Sequence, residues 1–179
     1  MSRLWLGAVV LIAGCALFPT VQPGDDARAV KDAKGAPTRI VAQPGGGELW
    51  QYATQPFGIT FINVLFDAHG RVSTVWDGLS DARRAQIAPG MTMAQVTERL
   101  GPHRSAETYA LSGEAVWDWN VSNVGGPGTA TYFNVHFRQG VVVRTSTSYE
   151  YPPDGALFGP IGFGAGHGSG LGIGIRLGR

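Results

Sequence analysis

Residues 87–104 read IAPGMTMAQVTERLGPHR, and a related segment occurs earlier, where residues 21–39 read VQPGDDARAVKDAKGAPTR. The two segments share a Pro-Gly pair, a central Val, and a later Gly, Pro and Arg, with a one-residue gap at Ala36. Self-similarity of this kind is the sequence signature of tandem structural units. The repeat therefore divides the chain into a first unit at residues 21–86 and a second unit at residues 87–151.

A short amphipathic helix is predicted near the start of the second unit. Thr92 and Gln95, three residues apart, are typical of a capping box. The apolar stripe of this helix consists of Met93, Val96 and Leu100. Gly101 then ends the helix, and Pro102 prevents its continuation. The predicted helix is only two to three turns long.

The first unit repeats this plan with two charged substitutions. Asp26 takes the capping position and Gly35 ends the helix, with Ala27 and Val30 on its inner face. Asp25 stands where Met91 stands in the second unit, and Lys34 stands where Leu100 does. Because charged side chains are rarely buried without a partner, we expect this helix to pack more loosely or to turn outward.

Three strand segments are predicted after each helix. They are residues 48–54, 61–66 and 71–76 in the first unit, and 114–121, 132–137 and 141–149 in the second. Alternation places Trp50 and Tyr52, and likewise Trp117 and Trp119, on one face of their strands. The predicted fold class is therefore α+β, with two tandem units that each place a short helix against a three-stranded antiparallel sheet in two layers.

The amino end predicts export. Arg3, an apolar run and a small residue at position 14 match a secretory signal, and the run is shorter than the ~20 residues that span a bilayer. Residues 11–15, LIAGC, resemble the bacterial lipobox, which implies a lipoprotein signal peptide at residues 1–14 and lipid attachment at Cys15. An ordinary signal peptide is the alternative. Residues 15–20 would form a lipidated tether.

Cys15 is the single cysteine of the chain, which excludes disulfides and cysteine-rich metal sites. By analogy with lipoproteins that carry Asp after the lipid site for inner-membrane retention, Ala16 indicates delivery to the outer membrane, facing the periplasm. The formal net charge is only +1, and the sequence has no cluster of basic residues that could neutralise a run of phosphates. Nucleic acid is therefore not an expected partner.

Gly90-Met91-Thr92 is followed by Val96, then by Leu100, Gly101 and Pro102, and then by an aromatic strand at Trp117. This pattern resembles the SmpA/OmlA family of small outer-membrane lipoproteins, which includes the BamE subunit of the β-barrel assembly machine. The resemblance covers about residues 87–143. It implies a non-catalytic protein-binding or scaffolding role in envelope assembly.

The tandem arrangement is also similar to the secreted β-lactamase inhibitor proteins, whose two helix-and-sheet repeats grip another protein. That similarity implies the alternative function, an inhibitor or decoy that binds an envelope enzyme such as a hydrolase. Under either interpretation, the expected partners are outer-membrane lipid, through Cys15, and envelope proteins.

Candidate binding residues lie on the predicted middle strand of each unit. Asn63 and Asn134 occupy equivalent places, and Tyr132 and His136 flank Asn134. This face is predicted to be either a protein-binding surface or the seam between the units. The tryptophans of the strands are more often core residues than binding residues.

No catalytic residue, metal site or small-molecule cofactor is predicted. The four histidines, none of them at a metal-ligand spacing, are His69, His103, His136 and His167. Asp25 and Asp26 fit a helix cap better than a metal or acid pair. No sequence motif of a hydrolase, zinc protease or nucleotide-binding loop occurs.

The last 28 residues, 152–179, differ in composition, with Gly at every even position from 162 to 174. Such a segment predicts a flexible low-complexity tail. Its apolar residues, with Arg176 and Arg179, leave open a second contact with membrane or partner.

Overall fold

The computed structural model describes residues 20–124, 126 and 128–151. The predicted signal peptide, the lipid site at Cys15 and the Gly-rich tail lie outside these residues. Within the described part, no helix is long and apolar enough to cross a membrane.

The described residues form three short helices and eight strands. The helices are α1 (Ala27–Lys34), α2 (Asp81–Arg84) and α3 (Met93–Leu100). The first sheet contains β1 (Arg39–Ala42), β2 (Glu48–Ala53), β3 (Phe61–Phe66) and β4 (Val72–Asp77). The second sheet contains β5 (Ser105–Tyr109), β6 (Glu114–Val121), β7 (Ala130–Arg138) and β8 (Val141–Glu150).

Both sheets are antiparallel meanders in which the strands follow chain order, and each is accompanied by a short helix, so the predicted α+β class is confirmed. The prediction of three strands in each sheet is wrong, since each sheet has four. The missed strands are the edge strands β1 and β5. Every residue of β5 is exposed, and β1 has only one half-buried residue, so neither carries an alternating apolar pattern. They become strands only through pairing with β2 and β6.

The predicted helix caps are confirmed. Thr92 and Gln95 form a complete capping box at the start of α3, and the Asp26 carboxylate accepts a hydrogen bond from the Ala29 amide at the start of α1. Gly35 and Gly101 follow the two helices with φ angles of 78° and 77°. These helix ends are encoded locally, which explains why the sequence was sufficient to predict them.

The two units share details beyond their strand order. A β-bulge interrupts the pairing between Leu65 and Phe66 in the first sheet and between His136 and Phe137 in the second. The amide that precedes each helix cap also makes the same contact with the last strand, because Gly24 donates to Val72 O and Gly90 to Val142 O, both at 2.8 Å. The boundaries at residues 21–86 and 87–151 stay a prediction.

Helices α1 and α3 each pack on one face of their own sheet. The first core cluster contains Val30, Trp50, Tyr52, Val64, Phe66 and Val72. The second contains Val96, Leu100, Trp119, Val121, Phe133, Val135, Phe137 and Val142, joined by Phe61, Leu79 and Ile87. Lys34 is exposed at the end of α1, whereas Leu100 is fully buried at the end of α3. The charged end of α1 therefore lies in solvent, while its Val30 remains in the core.

The face of the first sheet that lies opposite α1 is turned toward α3. Phe61 of this face enters the second core, and a Cβ atom placed on Gly101 would lie only 2.7 Å from its ring. Gln55 and Asn120 join the units through hydrogen bonds between the Gln55 side chain and the Asn120 backbone, of 2.8 and 3.2 Å. The chain thus stacks α1, the first sheet, α3 and the second sheet, and leaves the outer face of the second sheet as the end of the stack.

Candidate functional site: a polar groove on the second sheet

The outer face of the second sheet forms an open groove of about 540 Å³, here called the polar groove. Its lining includes Arg104, Glu107, Tyr109, Ser112, Glu114, Val116, Asp118, Tyr132, Asn134, His136, Arg144 and Ser148. Successive side chains of a strand point to opposite faces. The same strands therefore supply the core on one side and this polar surface on the other.

Strand register brings the groove residues and their half-buried neighbour Ser146 into rows. Across β7 and β8, Asn134 is paired with Ser146 and His136 with Arg144, while Asp118 of β6 is opposite Asn134. Directly opposite residues in an antiparallel sheet have Cβ atoms roughly 4.5–5.5 Å apart. Side chains that are distant in the sequence therefore contact one another.

His136 is the centre of the first side-chain cluster. Its Nδ1 atom lies 3.2 Å from Glu114 Oε2, and its Nε2 atom lies 2.9 Å from Ser146 Oγ. Arg144 donates to Glu114 Oε2 at 2.9 Å, and Arg138 donates to Glu114 Oε1 at 3.4 Å. The imidazole and the carboxylate are 11% and 13% exposed, so their partners hold them in a partly dehydrated site.

The electrostatics of this cluster favour a neutral imidazole beside a charged carboxylate. The hydrogen bond from Arg144, with a further one from His136, lowers the pKa of Glu114. Burial, followed by repulsion from Arg144, lowers the pKa of His136, although Glu114 opposes that shift. A neutral His136 beside an ionised Glu114 carries its proton on Nδ1, which donates to the carboxylate and leaves Nε2 as an acceptor for the Ser146 hydroxyl.

A second cluster surrounds Asp118. Arg104 binds this carboxylate with two nitrogens, at 2.6 and 3.1 Å, and Ser105 Oγ also donates to it. The Arg104 guanidinium lies 4.1 Å from the centroid of the Tyr132 ring, whose hydroxyl donates to Glu150. Bidentate pairing and ring stacking both restrict the Arg104 side chain to one orientation.

Three of the four predicted binding residues meet in the polar groove, namely Tyr132, Asn134 and His136. Asn63 lies elsewhere, on the face of the first sheet that is turned toward α3. It is 2% exposed, accepts a hydrogen bond from Gln51 at 3.0 Å and donates one to Phe61 O at 2.9 Å. The sequence left two alternatives for these faces, a seam between the units or an open surface. Asn63 lies at the seam, and Asn134 lies on the open surface.

Matching registers show how the two faces differ. Asn63 is opposite Trp76 in the first sheet, and Asn134 is opposite Ser146 in the second. At the next position along the same face, the first sheet pairs Leu49 with Leu65, whereas the second sheet pairs Val116 with His136. Apolar residues are thus used where the face meets α3, and polar or titratable ones where it is open.

Sequence reasoning missed Glu114, Asp118, Arg104, Arg144 and Ser146. Period-two alternation on β6 and β8 was the available signal, because it places Glu114 and Asp118 on one face of β6 and Arg144 and Ser146 on one face of β8. Their convergence depends on register, which a single strand does not reveal.

The described residues contain no group of three or more His, Cys, Asp or Glu arranged to hold a metal ion. His103 stacks on Trp117 at 4.4 Å and contacts Trp119 edge-on, and burial lowers its pKa. It therefore serves the packing beside α3. His167 lies outside the described residues.

No protein-family model and no curated protein matches the chain, so no family match supports the SmpA/OmlA resemblance. Among solved structures, the chain is similar to a candidate β-lactamase inhibitor protein from Streptococcus mutans, with 11% identity, a TM-score of 0.30, and coverage of 69% of this chain and 82% of that one. It is also similar to an extracellular protein containing a SCP domain from Bacillus anthracis, with 12% identity and a TM-score of 0.29, covering 86% of this chain and 57% of that one. Neither likeness determines what this chain does.

Proposed function

We propose that this protein is an outer-membrane lipoprotein, anchored through Cys15 and facing the periplasm, that binds envelope proteins through the polar groove. The observation that carries the proposal is a difference between the equivalent faces of the two sheets, on which Asn63 and Asn134 lie. In the first sheet this face meets α3 and carries apolar residues such as Leu65 and Trp76. In the second sheet it is open and carries His136 and Ser146 at the corresponding positions. A binding role of this kind needs no chemical step.

The groove has the composition of a protein-binding surface. Tyr and Arg are enriched among the residues that dominate binding energy at protein interfaces. Tyr109, Tyr132, Arg104 and Arg144 all line the groove, and hydrogen bonds to Glu107, Glu150, Asp118 and Glu114 respectively fix their positions. Side chains that are ordered before binding lose less entropy when a partner arrives. The clusters around Glu114 and Asp118 therefore support a preorganised surface.

The anchor would keep this surface near the membrane. Residues 16–20 join the lipid site to the first unit, and five residues reach at most ~17 Å. A partner of this protein is accordingly expected at the membrane surface. A soluble partner in the open periplasm would be met less often.

Membrane fractionation tests the anchor. Cys15→Ser removes the lipid attachment site, so the variant is expected to leave the outer-membrane fraction. Ala16→Asp is the matched control, because it keeps the lipid and is expected to shift the protein to the inner membrane. Unchanged outer-membrane recovery of Cys15→Ser would contradict the lipoprotein assignment.

Site-specific crosslinking tests the groove. A photo-reactive residue at position 148 lies in the groove, and the same residue at position 147 on the same strand points to the opposite face, so it serves as the control. We expect crosslinks to envelope proteins from position 148 and few from position 147. Assembly-machine subunits in the product favour scaffolding, and a single envelope enzyme favours the inhibitor alternative. Equal crosslinking from both positions would refute the groove as the binding surface.

A further inference from the structure

We propose that Ser146 is an activated nucleophile, and that the chain Ser146, His136 and Glu114 transfers an acyl group from a small carboxylic ester to water. This inference goes beyond the proposed binding role. It rests on the contacts that the His136 imidazole makes with Glu114 and Ser146, which no local sequence motif predicts.

The three side chains have the connectivity of a hydrolytic triad. Ser146 Oγ lies 2.9 Å from His136 Nε2, and Glu114 Oε2 lies 3.2 Å from His136 Nδ1. A nucleophile and base within about 2.6–3.2 Å of each other, with the base oriented by a third group, is the signature of nucleophilic catalysis. Triads of this type occur on unrelated folds, so geometry and not fold identifies them.

The surroundings set the protonation state that the reaction requires. Among the described residues, the charged groups that act on the imidazole are Glu114 on β6 and Arg144 on β8, and Arg138 on β7 pairs with the same Glu114 carboxylate. The hydrogen bond from Arg144 lowers the pKa of Glu114, and burial lowers the pKa of His136. Because its pKa is lowered from the ordinary His value, the imidazole is unprotonated near neutral pH and can accept the proton of Ser146.

The reaction balances without a co-reactant other than water. Ser146 Oγ bonds to the ester carbonyl carbon while its proton moves to His136 Nε2. The carbon–oxygen bond to the alcohol then breaks, and His136 returns the proton to the departing alkoxide. Water attacks the resulting acyl-serine, gives a proton to His136, and the serine leaves reprotonated with release of the carboxylic acid.

Asn134 supplies a hydrogen-bond donor beside the nucleophile. Its Nδ2 atom lies 3.4 Å from Ser146 Oγ and 2.9 Å from Ser148 Oγ. An amide donor next to the attacked carbonyl stabilises the negative oxygen that develops on attack. The groove is open and about 540 Å³ in volume, and Val116 and Tyr132 are apolar surfaces within it. The groove therefore has room for a small ester beside Asn134 and His136.

Covalent labelling of the full chain in detergent tests the proposal. A fluorophosphonate probe should label wild-type protein at Ser146, as located by mass spectrometry, and Ser146→Ala should lose at least nine-tenths of the label. Thr145→Ala is the matched control, because Thr145 adjoins Ser146 on β8 but lies on the opposite face of the sheet, outside the groove. That variant should keep at least half of the wild-type labelling.

Hydrolysis of p-nitrophenyl acetate gives a second readout. Glu114→Gln should lower the rate at least tenfold, and the wild-type rate should rise with pH through a midpoint below 6.5, the ordinary His value, and then level. Far-UV circular dichroism confirms that each variant is folded. Absence of label on folded wild-type protein, label on another residue, or equal loss in the Ser146 and Thr145 variants would each overturn the proposal. Crosslinking from position 148 would survive that failure, so the two proposals are tested separately.

Discussion

Phe61 should contribute far more to stability than Tyr132, although the two occupy equivalent positions on their sheets. Phe61 is 3% exposed and belongs to the core of the second unit, with Gly78 and Gly101 against its ring. Truncation of a buried Phe to Ala costs about 3–5 kcal/mol of unfolding free energy, because apolar contacts are lost and a cavity remains. We expect Phe61→Ala to fall in this range.

Tyr132→Ala is the control at the matched position. Tyr132 is half-buried, and its ring contacts the Arg104 guanidinium at 4.1 Å. A cation–π contact at an exposed site contributes about 0.5–1 kcal/mol, and loss of the partly exposed ring and its hydrogen bond adds about 1 kcal/mol. The two variants should therefore differ by about 2 kcal/mol in unfolding free energy.

Urea unfolding of both variants in the unlipidated Cys15→Ser background measures this difference. With a denaturant slope of about 2 kcal/mol per molar urea, 2 kcal/mol corresponds to a midpoint about 1 M lower for Phe61→Ala. The slopes should be equal if only the native state is affected. Midpoints that agree within about 0.25 M, at that slope, would refute the assignment of Phe61 to a shared core.

Two further predictions concern the helix ends and the groove. Gly35 and Gly101 have φ angles of 78° and 77°, so Ala at either position should lower the free energy of unfolding by about 1–3 kcal/mol through backbone strain. Only Gly101→Ala also meets the Phe61 ring, which should lower it by about 1–3 kcal/mol more, as measured by urea unfolding. Equal losses in the two variants would show that this close contact does not exist. The pKa of Glu114 is lowered in the folded state, chiefly by Arg144, so its stabilising contribution is complete above its unfolded pKa of about 4.3 and is lost as pH falls through the lower folded value. Glu114→Gln should therefore be less stable than wild type at pH 7, with a smaller further loss between pH 5 and 3; parallel stability curves across that interval would contradict the ion pairs.

Much of the local structure was predictable because it depends on neighbouring residues. The capping box of Thr92 and Gln95 satisfies backbone groups within one turn, and Gly101 ends α3 through its own backbone freedom. Alternation identified β6 and β7, whose apolar side chains Trp119 and Val135 are buried as the pattern requires. The same criterion missed β5, since an edge strand exposed at every residue has no apolar face to display.

The sequence alone determined the duplication, the α+β class and the placement of Tyr132, Asn134 and His136 together on one strand face, because these follow from spacing along the chain. Only the tertiary structure decided which of the two equivalent faces is open. Asn63 and Asn134 have the same local context, yet the docking of α3 against the first sheet places one at a seam and leaves the other in a groove. Strand register, also a non-local property, brought Glu114 and Ser146 to opposite sides of His136 and made that groove a candidate site.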